Sequence, residues 1–468
     1  MLTYNYETVE GPVYEYIYKC IKEDILSGNL KPNEKLPSKR TFARNNGIST
    51  ITIQNAYDQL IAEGYIYAVE RRGYFVSDFH VVREKKSVSY DIKIPKKKEY
   101  QYDFAYNRMN TDNFPFSIWA RLGREVLSEN KEGLMQIAPG AGLLELREAI
   151  AMHLQSFRGM AVDPNQIVIG AGTEYLYGLL VQLLGRDKIY GIENPGYKKL
   201  LKIYGQYEVK PKFISLDEWG VELDSLRKSK AQIAHISPNH HFPTGIMTPV
   251  SRRYELLSWA NEIEGRYILE DDYDSEFRYN GKPLPTLFSI DGCEKVIYMN
   301  TFSKSLTPTI RVSYMVLPVH LANKFYEKFS FRSCTVSNFE QYILTKFIRE
   351  GYFEKHINRM RLYYVRQRKQ VIKCIYDSSI RDSCEIIESS AGLHFILKLQ
   401  TKVSDEEMKQ RLEEEGIHID TISDYYMTKN KIKEHMFILD YSNIQIEKLA
   451  EACEIMYNCM DGKNTPSD

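Results

Sequence analysis

The sequence lacks an excess of charge of either sign, a long apolar run and any low-complexity tract. Lysine and arginine together number 62, and so do aspartate and glutamate. The charge of the whole chain therefore points to no nucleic-acid or membrane partner, and any basic surface must be local. The N-terminus shows no signal segment, and apolar runs such as LLVQLL are too short to span a bilayer. We expect a cytoplasmic protein.

Cysteine is sparse and unclustered. The seven cysteines form no CxxC pair and no metal-like spacing. This usage is typical of a reducing compartment rather than of a disulfide framework, and no metal site is predicted. At 468 residues the chain exceeds one ordinary core, so we expect two or more domains.

Residues 1–76 are predicted to form a winged helix-turn-helix. Three helical patterns begin near residues 12, 38 and 49, and each ends at a glycine, Gly28, Gly47 or Gly64. Two alternating runs, YIYAVE and GYFVSD, follow as a hairpin with a basic turn. Residues 77–103 carry charge runs without a sustained period, which predicts an exposed linker.

Residues 104–468 are predicted to form an α/β domain. Short apolar runs such as QIVIG, RYILEDD and KVIYMN alternate with amphipathic helical patterns. This order favours a mixed, mostly parallel sheet covered on both faces. Residues of about 385–460 read as a smaller C-terminal α+β subdomain.

Several strand ends carry polar motifs, at the edge where open α/β sheets bind ligands. The turn GAGT places Ala171, Gly172 and Thr173 before a helix, where free backbone N–H groups form an anion site. Such glycine turns are common, so by itself this turn favours a purely structural role. In TFSKSLTPTIR, the hydroxyls of Thr301 and Ser303 and a later arginine, Arg311, would complete a phosphate pocket.

The single amine within that motif, Lys304, has the surroundings of a lysine that condenses with an aldehyde. Three acids follow the strand YIL, and Asp271 is the one predicted to keep a pyridine nitrogen protonated, with Tyr273 donating to the ring hydroxyl. Singly, each residue also fits a solvated loop. Together they predict a pyridoxal 5′-phosphate (PLP) site with Lys304 as the Schiff-base lysine.

Residues 104–460 resemble the type I fold of PLP-dependent aminotransferases. The resemblance implies the roles given above for Asp271, Tyr273, Lys304 and Arg311, and it makes Tyr197 of NPGY the residue that stacks on the ring. In FPTG, Phe242 stands where most aminotransferases have asparagine.

A second departure concerns the substrate carboxylate. The family holds it with an arginine on a C-terminal strand, but this chain has no arginine after Arg411. The corresponding position is predicted to be Asn443, an amide that cannot pair with a carboxylate. Lys199 is the predicted substitute charge.

The N-terminal unit resembles GntR-type winged helices through KLPSKRTFA and ERRGYFV, and the whole chain resembles MocR/GabR-type bacterial regulators. That resemblance implies a homodimer and a third helix in the major groove of double-stranded DNA. Eight residues are predicted to contact DNA: Ser38, Lys39, Arg40, Thr50, Thr52, Gln54, Arg71 and Arg72. GntR proteins commonly have arginine where Thr50 stands, so site preference is expected to shift, for example toward A·T-rich DNA.

The function expected from these resemblances is a transcription regulator with a PLP-binding sensor domain. Its effector would be an amine or amino acid reacting at Lys304, or PLP itself. The missing arginine favours PLP or an amine without an α-carboxylate. The alternative is an aminotransferase with an accessory DNA-binding domain.

Overall fold

A computed structural model describes residues 4, 11–79, 92–94, 98–105, 111–274, 276–278, 284–387, 391–428 and 432–460. The chain divides into two compact units, Met1–Lys97 and Lys98–Asp468. Within the described ranges, no helix is both long and apolar enough to cross a bilayer.

The first unit is a winged helix-turn-helix. Its elements are α1 (Val13–Ser27), α2 (Lys39–Asn46), α3 (Thr50–Ala62), β1 (Ile66–Val69) and β2 (Gly73–Val76). The two strands form an antiparallel hairpin. Ile17, Phe42 and Ile53 are fully buried and join the three helices in one core. Burial of this apolar surface provides the main driving force for the unit.

Capping residues fix where the second and third helices begin. Ser38 accepts a hydrogen bond from the Thr41 amide, and Ser49 accepts one from the Thr52 amide. Each such cap stabilises its helix by about 1 kcal/mol. Gly47 ends α2 with a φ of 64°, in the left-handed region that glycine adopts without a steric penalty.

The second unit contains most of the secondary structure. Its helices are α4 (Phe116–Glu129), α5 (Lys131–Met135), α6 (Leu144–Arg158), α7 (Thr173–Leu184), α8 (Lys199–Gln206), α9 (Leu223–Lys228), α10 (Val250–Asn261), α11 (Leu287–Ile290), α12 (Phe302–Ser305), α13 (Val319–Phe329), α14 (Asn338–Arg349), α15 (Tyr352–Tyr376), α16 (Asp405–Glu414) and α17 (Ile446–Met460). Its strands are β3 (Tyr102–Asp103), β4 (Ile167–Gly170), β5 (Tyr190–Asn194), β6 (Lys212–Asp217), β7 (Gly220–Val221), β8 (Ile233–Ile236), β9 (Tyr267–Asp271), β10 (Val296–Thr301), β11 (Ser313–Val316), β12 (Cys384–Ile387), β13 (His394–Leu399), β14 (Ile417–His418), β15 (Asp420–Thr421) and β16 (Met436–Asp440).

The central sheet has eight strands in the order β4-β11-β10-β9-β8-β5-β6-β7. Strands β10, β9, β8, β5 and β6 run parallel, whereas β11 is antiparallel to both of its neighbours. The prediction of a mixed, mostly parallel sheet is confirmed. Strands β4, β8, β10 and β11 are buried along their whole length, as expected for a sheet with helices on both faces.

A smaller sheet lies near the C-terminus, in the order β12-β13-β16-β15, and all its pairings are antiparallel. Helices α16 and α17 pack with it through a core that includes Met408 and Leu449.

The predicted linker differs from the structure at its end. Tyr102–Asp103 forms strand β3, which pairs in parallel with Ile417–His418, and Tyr102 is buried in the core of the second unit. Residues 80–91 and 95–97 of the predicted linker lie outside the described residues.

Candidate functional site

A cavity of about 370 Å³ opens where the central strands end. Nine of the residues predicted for cofactor or effector binding line it: Thr173, Tyr197, Lys199, Asp271, Tyr273, Thr301, Ser303, Lys304 and Arg311. They come from the ends of β9 and β10, the short helix α12, the segment that leads from β5 into α8, the start of α7, and the loop before β11. The parallel sheet therefore brings side chains from distant parts of the sequence to one edge.

Lys304 lies in the short helix α12, directly after β10. The Thr301 hydroxyl accepts a hydrogen bond from the Ser303 amide at 3.1 Å and so fixes the start of this turn. Lys304 is only partly exposed, and burial lowers the pKa of its amine, while the carboxylates of Asp440 and Asp274 act in the opposite direction. Lowering the pKa increases the unprotonated fraction, which is the nucleophilic form.

Asp271, at the end of β9, presents a carboxylate to the cavity. Its Oδ2 accepts a hydrogen bond from the Tyr177 hydroxyl at 2.5 Å and lies 3.5 Å from His235 Nε2. Its Oδ1 is buried and has no hydrogen-bond partner among the described residues. An acceptor left in this state costs free energy unless a ligand donates to it.

The two acids beside Asp271 bond to other groups of the protein. Glu270 accepts hydrogen bonds from the amides of Leu287 and Phe288, each at 2.9 Å. Asp272 forms a buried ion pair with Arg158. Only the middle acid of the three therefore faces the cavity.

Arg311 and the turn before α7 form a further part of the site. The Arg311 guanidinium donates to the Ala171 carbonyl at 3.3 Å. Gly172 has a φ of 90°, and a Cβ there would overlap that guanidinium, so glycine is required by both conformation and space. No side chain caps the N-terminus of α7, a helix of 12 residues. Its first amide groups, the Ser303 hydroxyl and Arg311 together suit a phosphate dianion.

These features fit PLP. Asp271 Oδ1 would accept from the pyridine nitrogen, Lys304 would bind the aldehyde carbon, and Arg311 with Thr173 and Ser303 would hold the phosphate. When bound, PLP supplies an electrophilic carbon conjugated to an electron-withdrawing ring.

The two residues predicted for the effector lie in different places. Lys199 lines the cavity, where it forms an ion pair with Glu174. Asn443 is exposed just after β16 and is not among the residues lining the cavity. The residue of this segment whose charge acts on Lys304 is Asp440.

Three further lining residues were not identified from the sequence: Tyr177, Glu193 and His235. Burial raises the pKa of Glu193 to about 8, although its carboxylate accepts a hydrogen bond from the Ser237 amide at 3.0 Å. Each lies within an apolar run, where the surrounding pattern gives the same signal as a core position.

On the winged-helix unit, most of the predicted DNA-contacting residues are solvent-accessible. Arg40, Thr50 and Gln54 are exposed on α2 and α3, and Arg71 and Arg72 are exposed in the turn of the hairpin. Basic side chains at a helix and at a wing tip suit contacts to the phosphate backbone.

The three other predicted DNA contacts also have roles within the unit. The Ser38 and Thr52 side chains take part in the caps of α2 and α3, with hydroxyl pairs at 2.7 Å to Thr41 and Ser49. Lys39 lies 3.8 Å from the Asp58 carboxylate and over the ring of Tyr74.

Ile51 of α3 is a further exposed residue of the winged-helix unit. It follows Thr50 in the first turn and is 71% exposed. An isoleucine is costly to leave in water on a small unit, and on a recognition helix an apolar side chain can contact a thymine methyl group.

Comparison with known proteins gives the same two units. Residues 13–76 match the bacterial regulatory proteins of the gntR family, and residues 101–455 match aminotransferase class I and II. The chain is 34% identical over 420 residues to the "Uncharacterized HTH-type transcriptional regulator YdeL" of Bacillus subtilis, covering 89% of this chain and 90% of that protein. It is 29% identical over 465 residues to the "Probable rhizopine catabolism regulatory protein MocR" of Rhizobium meliloti, covering 94% of this chain and 92% of that protein.

The chain belongs to the MocR/GabR-type transcription regulators. DNA binding follows from its GntR winged helix. The fold of its second unit is also that of kynurenine aminotransferase from Pyrococcus horikoshii, with a TM-score of 0.68, 22% identity, and coverage of 79% of this chain and 92% of that one. This MocR/GabR-type chain therefore combines a DNA-binding unit with a fold used by PLP-dependent enzymes.

Proposed function

We propose that this MocR/GabR-type regulator binds PLP at Lys304 and uses the bound cofactor to sense a small amine. The observation that carries the proposal is the position of Lys304 in one cavity with the guanidinium of Arg311 and with Asp271 Oδ1, which has no hydrogen-bond partner within the described part of the chain. These three groups match the aldehyde, pyridine nitrogen and phosphate of one ligand.

Ligand binding would regulate DNA binding by population shift. A ligand that binds one conformation of the regulator better than another shifts the equilibrium toward that conformation by its difference in affinity. Lys304 provides the step specific to amines, because an incoming amine can take its place on the cofactor. Asp271 holds the ring, and Arg311 retains the phosphate during this exchange.

A homodimer is part of this proposal. Met135, Ile137 and Phe331 are between 76% and 81% exposed, on segments joined by a bridge between Pro139 and Ser333. A second copy of the chain would cover these apolar side chains. Light scattering after gel filtration should give a mass twice that of one chain. Ile137→Asp should reduce the measured mass toward that of one chain.

The proposed DNA surface depends on Arg40 and the hairpin turn. Arg40→Ala should weaken binding to all duplexes and lower the slope of log K against log salt by about 1, as expected for one lost phosphate contact. Lys39→Ala is the matched control and should have a smaller effect, because Lys39 already contacts Asp58. Equal effects of the two variants would contradict the proposed contact between Arg40 and the DNA backbone.

The experiment that tests the proposed function measures DNA binding and cofactor absorbance together. Wild type with PLP should show the absorbance of a lysine-bound cofactor, and an amine should change both that absorbance and DNA affinity. Lys304→Ala should show neither response while its circular dichroism stays unchanged. An unaltered response in the variant would contradict the proposal.

An aminotransferase is the second candidate, since Lys304, Asp271 and Tyr273 all line the cavity. Steady-state assay with an amino acid and a 2-oxo acid separates the two. Many turnovers per active site would favour the enzyme, and absorbance changes without turnover would favour the sensor.

A further inference from the structure

The wall of the cavity formed by Phe242 and Tyr273 is backed by the small C-terminal sheet. The Phe242 ring lies 4.9 Å from the Tyr425 ring and 5.5 Å from the His394 ring, measured between centroids. Phe242 also packs in one cluster with Ile396 and Ile438. The second unit therefore presents an apolar surface behind this wall.

The pairing register of β13 and β16 shows which side chains lie on the face of the small sheet next to Phe242. Ile438 pairs with Ile396, and Asp440 pairs with His394. Directly opposed residues of an antiparallel pair point to the same face, as do residues two apart on one strand. Ile438 and Asp440 therefore lie on the face that contacts Phe242.

The charges around Lys304 on this side are negative. Asp440 and Asp274 are 5% and 3% exposed, and both carboxylates favour the charged form of the Lys304 amine. His394 is in van der Waals range of Phe242, and burial lowers its pKa to about 3, so it is neutral at pH 7.

Two of the three positive charges that line the cavity are committed elsewhere. Among the described residues lining it, the cationic side chains are Lys199, Lys304 and Arg311. Lys199 forms an ion pair with Glu174, and Arg311 packs against Gly172 at the proposed phosphate end. A carboxylate on the carbon that bears the effector amine would lose water, and the lining cation beside it would be the released Lys304 amine. That amine already interacts with the buried carboxylates of Asp440 and Asp274, which would repel the added carboxylate.

We propose that the effector is a primary amine with an apolar body and no carboxylate on the carbon that bears the amine. This inference rests on the proposed function, because it assumes amine exchange at Lys304. In that exchange, the effector nitrogen forms a bond to the cofactor carbon while the bond from Lys304 breaks. Two protons pass from the effector ammonium to the Lys304 nitrogen, which leaves as an ammonium, so no oxidant, reductant or net water is needed.

Matched ligand pairs test the inference. The PLP-loaded full-length chain is titrated with 2-phenylethylamine against L-phenylalanine, and with 3-methylbutylamine against L-leucine. Members of each pair differ only in the carboxylate. Cofactor absorbance and the melting temperature provide independent readouts. The amine should bind at least about tenfold more tightly in each pair. Equal or tighter binding of the amino acid, or no binding of either amine, would overturn the inference.

A charge-removing variant tests the role of the sheet. Asp440→Asn keeps the side-chain shape and should reduce the preference for the amine at least about threefold, mainly by improving amino-acid binding. Glu385→Gln is the control, since Glu385 lies on the same sheet but pairs with exposed Lys398 at 3.0 Å. If Asp440→Asn prefers the amine over the amino acid as strongly as wild type does, the charge of Asp440 does not cause the preference. If that variant does not fold, the ligand pairs with wild type decide alone.

Failure of this inference is distinguishable from failure of the proposed function. Borohydride reduction of the PLP-loaded chain without any amine reports only on Lys304. A cofactor fixed at Lys304 together with a preference for amino acids would overturn the effector class and leave the cofactor site in place. No fixed cofactor would overturn both.

Discussion

The Tyr177 hydroxyl donates a hydrogen bond to Asp271 Oδ2 at 2.5 Å, while Asp271 Oδ1 has no partner among the described residues. One oxygen is thus held by the protein and the other is left for a ligand. This arrangement orients the carboxylate toward the cavity before any ligand binds, so little ordering entropy remains to be lost on binding.

Asp271→Asn should weaken PLP binding by about 10- to 100-fold, the range for losing a hydrogen bond to a charged group. Tyr177→Phe keeps the carboxylate and removes only one neutral donor, so its loss should be about fivefold. Fluorescence titration with PLP measures both. A larger loss in Tyr177→Phe than in Asp271→Asn would mean that the carboxylate does not contact the ring nitrogen.

Ile51 is expected to read a thymine methyl group. Binding sites are first selected from a random duplex library, and each thymine is then replaced by uracil, which lacks that methyl. Loss of one buried methyl costs about 0.8 kcal/mol, so uracil at one position should weaken wild-type binding about fourfold. The same replacement of thymine by uracil should not change the DNA affinity of the Ile51→Ala variant.

Ile263→Ala is the control for Ile51, because Ile263 is an exposed isoleucine of the second unit. It should keep the wild-type sensitivity to uracil. Sensitivity that persists in Ile51→Ala would assign the methyl contact to another residue.

Glu193 predicts a pH dependence of stability. Its pKa is raised from 4.5 to about 8 in the folded chain, mainly by burial. When folding raises the pKa of a group, the contribution of that group to the free energy of unfolding is fully present below its pKa in the unfolded chain. The contribution is lost as the pH rises toward and through its pKa in the folded chain. The PLP-free chain should therefore lose stability between pH 4.5 and about 8, by up to about 1.4 kcal/mol per pH unit from this group.

Glu193→Gln cannot ionise, so its free energy of unfolding relative to wild type should rise across that pH range and level off above it. Urea denaturation at several pH values measures this difference. Glu385→Gln, at an exposed position, should show no such trend. A constant difference for Glu193→Gln would show that the pKa of Glu193 is the same in the folded and the unfolded chain.

Much of the architecture was predictable because local signals agreed with tertiary packing. Serine caps and glycine stops marked α2, and buried apolar runs marked the strands of the central sheet. Strand-end motifs predicted the cavity residues Asp271 and Lys304, because a parallel sheet brings the carboxyl ends of its strands together.

The misses have a common physical origin in long-range geometry. Tyr177 lies within an apolar helix, and nothing local shows that its hydroxyl reaches a strand 94 positions away. Strand β3 has two residues, too few for a period, and depends on pairing with residues 417–418. Asn443 lies three residues past the end of β16 and is exposed, and its role toward the effector stays a prediction.

The most direct test of the central claim is to locate the cofactor on the chain. The purified protein is incubated with PLP, reduced with borohydride and digested, and the modified peptide is sequenced by mass spectrometry. We predict a phosphopyridoxyl group on Lys304 at close to one per chain, and none in Lys304→Ala. Modification spread over exposed lysines, with Lys304 unmodified, would contradict the account.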